Sequence, residues 1–141
     1  MRLNERVIAA HASCDIDAGV SAFDRVGVLY DRRRLMGYFG RGHEAVSTTM
    51  RSHRGPVIID SEVIAERGEH VALFRQRWHS ADRRSFVELL AIVDADPESR
   101  LVSAYVFFDD DDVEAAHHEL ERRSAEHGRG LDADPAHKDP D

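Results

Sequence analysis

An α+β fold, with N-terminal helices packed on a curved and mostly antiparallel β-sheet, is what this sequence predicts, and three observations predict it. Apolar residues recur at helical spacing mainly before Gly55 and after Asp112. Between those points lie four runs rich in Val, Ile, Phe, Tyr and Trp. The connectors between the runs are short and polar, the length that joins neighbouring strands into antiparallel hairpins. With 141 residues, 42% of them hydrophobic, one core is enough for one domain, assigned to residues 1–125.

Taken in order, Arg6 to Ala12 forms a short helix. A second helix is expected over Ile16 to Tyr30, with Asp15 or Asp17 as N-cap and Val20, Phe23, Val26 and Leu29 at three-residue spacing. Val28, Tyr30 and Arg32 read equally well as one face of a strand, so the boundary stays open. Gly37, Gly40 and Gly42 suit tight turns, and Glu44 to His53 is a helix that Gly55 and Pro56 terminate. The four strands are Val57 to Ala65, Val71 to His79, Ser85 to Val93 and Leu101 to Phe108. Asp109 to Asp112 then offers N-caps and a favourable charge for a helix over Val113 to Ala125, whose stripe is Val113, Ala116 and Leu120. Gly128 and Gly130 are expected to end it, leaving residues 126–141 as a polar, disordered tail.

Charge excludes several functions. Of the net −8, all falls within residues 109–141, which hold 12 acidic and 4 basic side chains, so the body is neutral. Such a balance does not concentrate phosphates, and neither nucleic acid nor an anionic membrane surface is an expected partner. No apolar run approaches the roughly 20 residues that span a bilayer, and no signal-peptide core is present, so the expected location is cytoplasmic. The lone Cys14 cannot form an internal disulfide and is expected to be a small buried hydrophobe. The nine histidines lack metal-ligand spacing, with His117 and His118 about 100° apart on a helix, and neither metal nor other cofactor is expected.

Three segments carry a resemblance. The stretch from Cys14 to Asp31, CDIDAGVSAFDRVGVLYD, resembles the opening of the nuclear-transport-factor-2-like (NTF2-like) superfamily, where an aliphatic helix and an aromatic lead into a strand ending in an acidic residue. Gly40 to Val46, GRGHEAV, is similar to the start of that superfamily's third helix, and Tyr105 to Ala116, YVFFDDDDVEAA, resembles the ending of SnoaL-like domains. The superfamily houses ketosteroid isomerases and polyketide cyclases, and its sheet rolls into a cone with an internal pocket. The resemblance therefore implies a SnoaL-like, small-molecule-binding protein. Either an acid/base isomerase, cyclase or dehydratase acting on an apolar or polyketide-like substrate, or a non-catalytic ligand-sensing or dimerisation module, is compatible with it.

Matching strands to the superfamily proposes which residues face the pocket. Ala72, Phe74, Gln76 and Trp78 form the more apolar face of their strand, and Val87, Leu89 and Ala91 with Ala104, Val106 and Phe108 are placed inside with them. Arg75, Arg77, Glu88, Ser103 and Tyr105 then lie on the outer face, where a cross-strand Glu88 to arginine pair is natural and where relatives often dimerise. Asp31 aligns with the general base of ketosteroid isomerases, and a carboxylate at the mouth of an apolar cone is shifted toward proton transfer. Its other reading is a turn cap or a partner for Arg32, Arg33 or Arg34. The isomerase's hydrogen-bond donors fall on Val7 and Leu89, which makes steroid isomerisation improbable, and the catalytic arginine and aspartates of limonene-type epoxide hydrolases have no counterparts. The ligand-binding set is Tyr30, Tyr38, His53, Phe74, Gln76, Trp78, Leu89, Ala91, Val106 and Phe108, around a small apolar or aromatic ligand. Trp78 and Phe108 also fit a packed core, and a buried Gln76 must find a partner in ligand or strand.

Overall fold

The computed structural model describes residues 2–53 and 55–132. Its elements run α1 (Arg2–Ala12), α2 (Ile16–Ser21), β1 (Phe23–Asp31), β2 (Tyr38–Arg41), α3 (Gly42–Arg51), β3 (Val57–Arg67), β4 (Val71–Ser80), β5 (Phe86–Ala95), β6 (Val102–Asp109) and α4 (Val113–Asp132). Six strands form one sheet in the order β2-β1-β6-β5-β4-β3. The meander β3 to β6 is antiparallel, and only β1 beside β6 runs parallel. The four strands of the meander thus fall where the sequence places them. A bulge between Val63 and Ala65 bends β3.

Each side of the sheet carries its own core. Helices α1, α2 and α3 close the inner side over Phe23, Leu29, Ala72, Phe74, Leu89, Ala91, Val93, Tyr105 and Phe107. On the outer side α4 lays Ala116 and Leu120 against Val71, Leu73, Leu90, Ile92, Val106 and Phe108. Burial of each large apolar side chain contributes about 1.5–3 kcal/mol before conformational entropy is set against it.

Five expectations are corrected, four of them outside β6. The second helix stops at Ser21, capped by the Asp15 carboxylate on the Ala18 N–H at 3.0 Å, and residues 23–31 extend as β1. Gly27 explains the change: a Cβ there would stand 2.8 Å from the Val102 carbonyl oxygen, so the bare backbone lets β1 ride against β6 through a register shift. The glycine-rich stretch before α3 contains strand β2, paired with β1. Helix α4 continues through Gly128 and Gly130 to Asp132, which removes residues 126–132 from the expected tail; residues 133–141 lie outside the described residues. Cys14 is exposed, at a turn between α1 and α2 where its φ is +55°, and is no part of the core.

Strand β6 faces the opposite way from the expectation. Leu29 and Asp31 of β1 pair with Tyr105 and Phe107, and these two belong to the inner side with Leu89 and Ala91. Ala104, Val106 and Phe108 point outward under α4. Faces on β4 and β5 agree with the sequence reading, and Arg77 meets Glu88 across the strands at 3.2 Å.

Candidate ligand-binding site

The inner side holds a polar network at its centre. Gln76, 1% exposed, donates from Nε2 to the Tyr105 hydroxyl at 2.9 Å and accepts from Trp78 Nε1 at 2.9 Å. The Tyr105 hydroxyl in turn donates to Asn4 Oδ1 at 2.9 Å, and Asn4 Nδ2 reaches Ser61 Oγ at 3.3 Å. The protein itself thus satisfies Gln76, and the chain of bonds fixes the Trp78 indole from behind. Complete burial drives the Tyr105 phenol far above its usual pKa, with the Gln76 bond opposing, so it remains a neutral donor.

Depth is filled; the open space is at the rim. Between Val7, His11, Leu29, Met50, Trp78, Tyr105 and Phe107 remains a cavity of about 20 Å³, room for roughly one water. A cavity of about 220 Å³ opens above it, lined by His11, Cys14, Ile16, Met50, Arg51, His53, Gly55 and Val57. A wider groove of about 410 Å³ continues along His53, Gly55, Val57, Trp78, Ser80, Phe86 and Val87. The two larger spaces meet at His53, Gly55 and Val57, and Met50 separates the upper cavity from the small one below. Gly19 makes room for that methionine, since a Cβ on it would lie 2.3 Å from Met50 Sδ.

Three rings stand where these spaces join. His11, in the last turn of α1, lies 5.1 Å from Trp78 and 5.7 Å from His53 by ring centroids, both edge-on, and His53 is 5.9 Å from Trp78. His11 Nδ1 is 2.9 Å from the Val7 carbonyl oxygen. A carbonyl only accepts, so the neutral ring keeps its proton on Nδ1 and its lone pair on Nε2. Burial pushes the His11 pKa down from 6.5, the Val7 bond acts the other way, and the positive charge of a protonated His53 adds to the lowering. Burial lowers His53 as well, and its Nε2 is buried with no hydrogen-bond partner among the described residues. At neutral pH the site presents two uncharged imidazoles and an indole.

Of the sequence candidates, His53 and Trp78 come together here and Gln76 supports them. Phe74, Leu89 and Ala91 lie on the inner side as expected, but within the closed core. Val106 and Phe108 are out of reach beneath α4, because β6 presents its other face inward. Tyr30 also points outward, its ring 5.5 Å from the Arg32 guanidinium. Tyr38, 40% exposed on the edge strand, pairs in register with Asp31 and lines none of the three spaces. Asp31 is 8% exposed and gripped by Arg33, which donates from Nε at 2.9 Å, Nη2 at 2.7 Å and its backbone N–H at 3.1 Å. That is the pairing alternative, and the neighbouring arginines point elsewhere: Arg32 to Glu119, Arg34 to Asp109 and Asp111. The sequence reading left His11, Met50 and Asn4 out of the candidate set and put Tyr105 on the outer face, whereas it belongs to the inner side. For His11 a signal existed, a histidine on the same helical stripe as apolar Val7, four residues earlier.

Among the described residues no group of three or more His, Cys, Asp or Glu side chains is arranged to hold a metal ion, and no helix is long and apolar enough to cross a membrane.

No protein-family model matches the sequence, and no curated protein matches it either. Solved structures do match. SalBIII, an epoxide hydrolase/cyclase-like enzyme with a role in pyran ring formation in the polyether salinomycin, is 13% identical with a TM-score of 0.63, covering 76% of this chain and 87% of its own. A putative polyketide cyclase from Sinorhizobium meliloti is 15% identical with a TM-score of 0.61, over 76% of this chain and 94% of its own. An NTF2-like protein of unknown function from Cytophaga hutchinsonii is 10% identical with a TM-score of 0.61, over 77% and 87%.

Proposed function

This chain has the NTF2-like fold, an α+β cone, and from that premise we propose that it binds a small apolar or aromatic molecule at the rim formed by His11, His53 and Trp78. One observation carries the reading: His53, whose buried Nε2 has no hydrogen-bond partner among the described residues, lines both of the joined cavities of about 220 and 410 Å³. Buried polar atoms are nearly always hydrogen-bonded, so an orphan at the junction of open spaces marks a place that a ligand completes. Ile16, Met50, Val57 and Trp78 supply apolar walls. The cyclase and epoxide-hydrolase-like relatives support the reading as proteins of this fold named for chemistry on small organic molecules.

Catalysis by Asp31 fits less well. Both of its carboxylate oxygens accept hydrogen bonds from Arg33, and Asp31 lines none of the three cavities described above. Self-association through the outer sheet face is narrowed too, because α4 covers much of it and Tyr105 is buried inside. The strip left for a homodimer is Arg77, Phe86 and Glu88, and a monomer in light scattering removes it.

Trp78 is the only tryptophan, so its emission reports this site directly. Titration with uncharged mono- and bicyclic aromatics is expected to give a saturable change in emission together with a raised melting temperature. If no such compound at millimolar concentration changes either signal, the binding reading is wrong.

A further inference from the structure

The tautomer of His11 narrows the ligand further, and this step rests on the binding reading above. The Val7 carbonyl oxygen, 2.9 Å from Nδ1, can only accept, which commits the single proton of the neutral ring to Nδ1. Nε2 is then a bare lone pair with no hydrogen-bond partner among the described residues. Turning the ring over to offer a donor would sacrifice the Val7 bond, and Trp78 at 5.1 Å and His53 at 5.7 Å hem the ring in on two sides. His11 also lines both the cavity of about 220 Å³ and the small space below it, so a molecule seated in the larger cavity lies against the imidazole.

We infer that the ligand is an uncharged cyclic molecule of phenol or enol type, whose hydroxyl donates to His11 Nε2 while its ring packs on Ile16 and Met50. A phenolic or enolic O–H is a strong donor on a flat apolar body, which matches one fixed acceptor in an otherwise apolar wall. A carboxylate has no proton to donate and would meet two neutral imidazoles; among the described lining residues the one cation is the exposed Arg51 at the cavity margin. A plain hydrocarbon would fill the space and displace water from the acceptor without replacing its hydrogen bond, so it gains less than a ligand that donates there.

The test uses the full chain and four probes of matched shape: 2-naphthol, 2-methoxynaphthalene, naphthalene and 2-naphthoate, each titrated against Trp78 emission. 2-Naphthol is expected to bind about 5- to 100-fold more tightly than its methyl ether or the hydrocarbon, the range of one shielded hydrogen bond. In His11→Phe the preference for 2-naphthol over 2-methoxynaphthalene is expected to fall to about one. A second measurement needs no variant: nitrogen NMR of the wild type should place the His11 proton on Nδ1 and show the Nε2 resonance move when 2-naphthol, but not its methyl ether, is added. Equal affinity for 2-naphthol and its ether overturns the inference and leaves the binding reading standing. Tightest binding of 2-naphthoate overturns it in favour of an anion site at Arg51, a proton found on Nε2 overturns its premise, and failure of all four probes to bind overturns the binding reading and the inference together.

Discussion

Removing the hydroxyl of Tyr105 tests the polar network that holds the Trp78 wall in place. Tyr105 is 1% exposed, and its oxygen serves both as acceptor for Gln76 Nε2 and as donor to Asn4 Oδ1, each at 2.9 Å. In Tyr105→Phe, Gln76 Nε2 retains only Ser61 Oγ at 3.3 Å and Asn4 Oδ1 at 3.5 Å, and Asn4 Oδ1 loses its one short bond. An unsatisfied buried polar group costs about 1–3 kcal/mol. For a chain of 141 residues each kcal/mol corresponds to about 3 °C at the midpoint, so the melting temperature should fall by about 3–10 °C. Circular dichroism gives that shift, and urea titration should move the midpoint without changing the slope. Tyr30→Phe, at an exposed outer position, is the control and should stay within about 1 °C. A Tyr105→Phe protein as stable as its parent would refute the network as the support of Trp78.

Three further outcomes are expected. Because burial depresses the pKa of His11 below 6.5, the folded state binds fewer protons than the unfolded one; stability is therefore complete above about pH 7 and falls as pH drops below 6.5. The loss approaches about 1.4 kcal/mol per pH unit for that one group, half-buried His53 adds a smaller share, and urea midpoints between pH 5 and 7.5 should lose most of this dependence in His11→Phe. Met50→Ala removes the partition between the rim cavity and the space beneath, costing about 2–5 kcal/mol in unfolding experiments while raising the affinity for bulkier bicyclic hydrocarbons. Asp31→Asn strips Arg33 of its ionic partner and should lower stability by about 1–3 kcal/mol with naphthalene affinity unchanged; a loss of binding instead would return Asp31 to the site.

Strand faces were legible where one side of a strand is wet. On β4 the alternation of Gln76 and Trp78 with Arg75 and Arg77 fixes the inner face correctly, and the Arg77 to Glu88 pair follows from it. Strand β6 is buried on both sides, so its sequence carries no alternation to read, and a one-residue slip exchanged Tyr105 and Phe107 for Val106 and Phe108. Phe23, Val26 and Leu29 imitate a helical stripe, yet they belong to a strand whose register against β6 shifts near Gly27; that pairing joins segments about 75 residues apart, which no local window contains. The rim was half visible. His53 and Trp78 could be named singly, whereas their meeting with His11 depends on how α1 crosses the sheet, a matter of packing rather than pattern.

Helix α4 gives the outer side of the sheet its lid, and the short acidic connector at residues 110–112 joins it to the rest of the chain. Until the residues after that connector settle into place, Leu90, Ile92, Val106 and Phe108 form a bare hydrocarbon slab on an otherwise finished sheet. Such a slab adheres to its own kind, so a proteolytic nick in the connector would turn well-behaved molecules into a sticky population long before the ligand rim was disturbed.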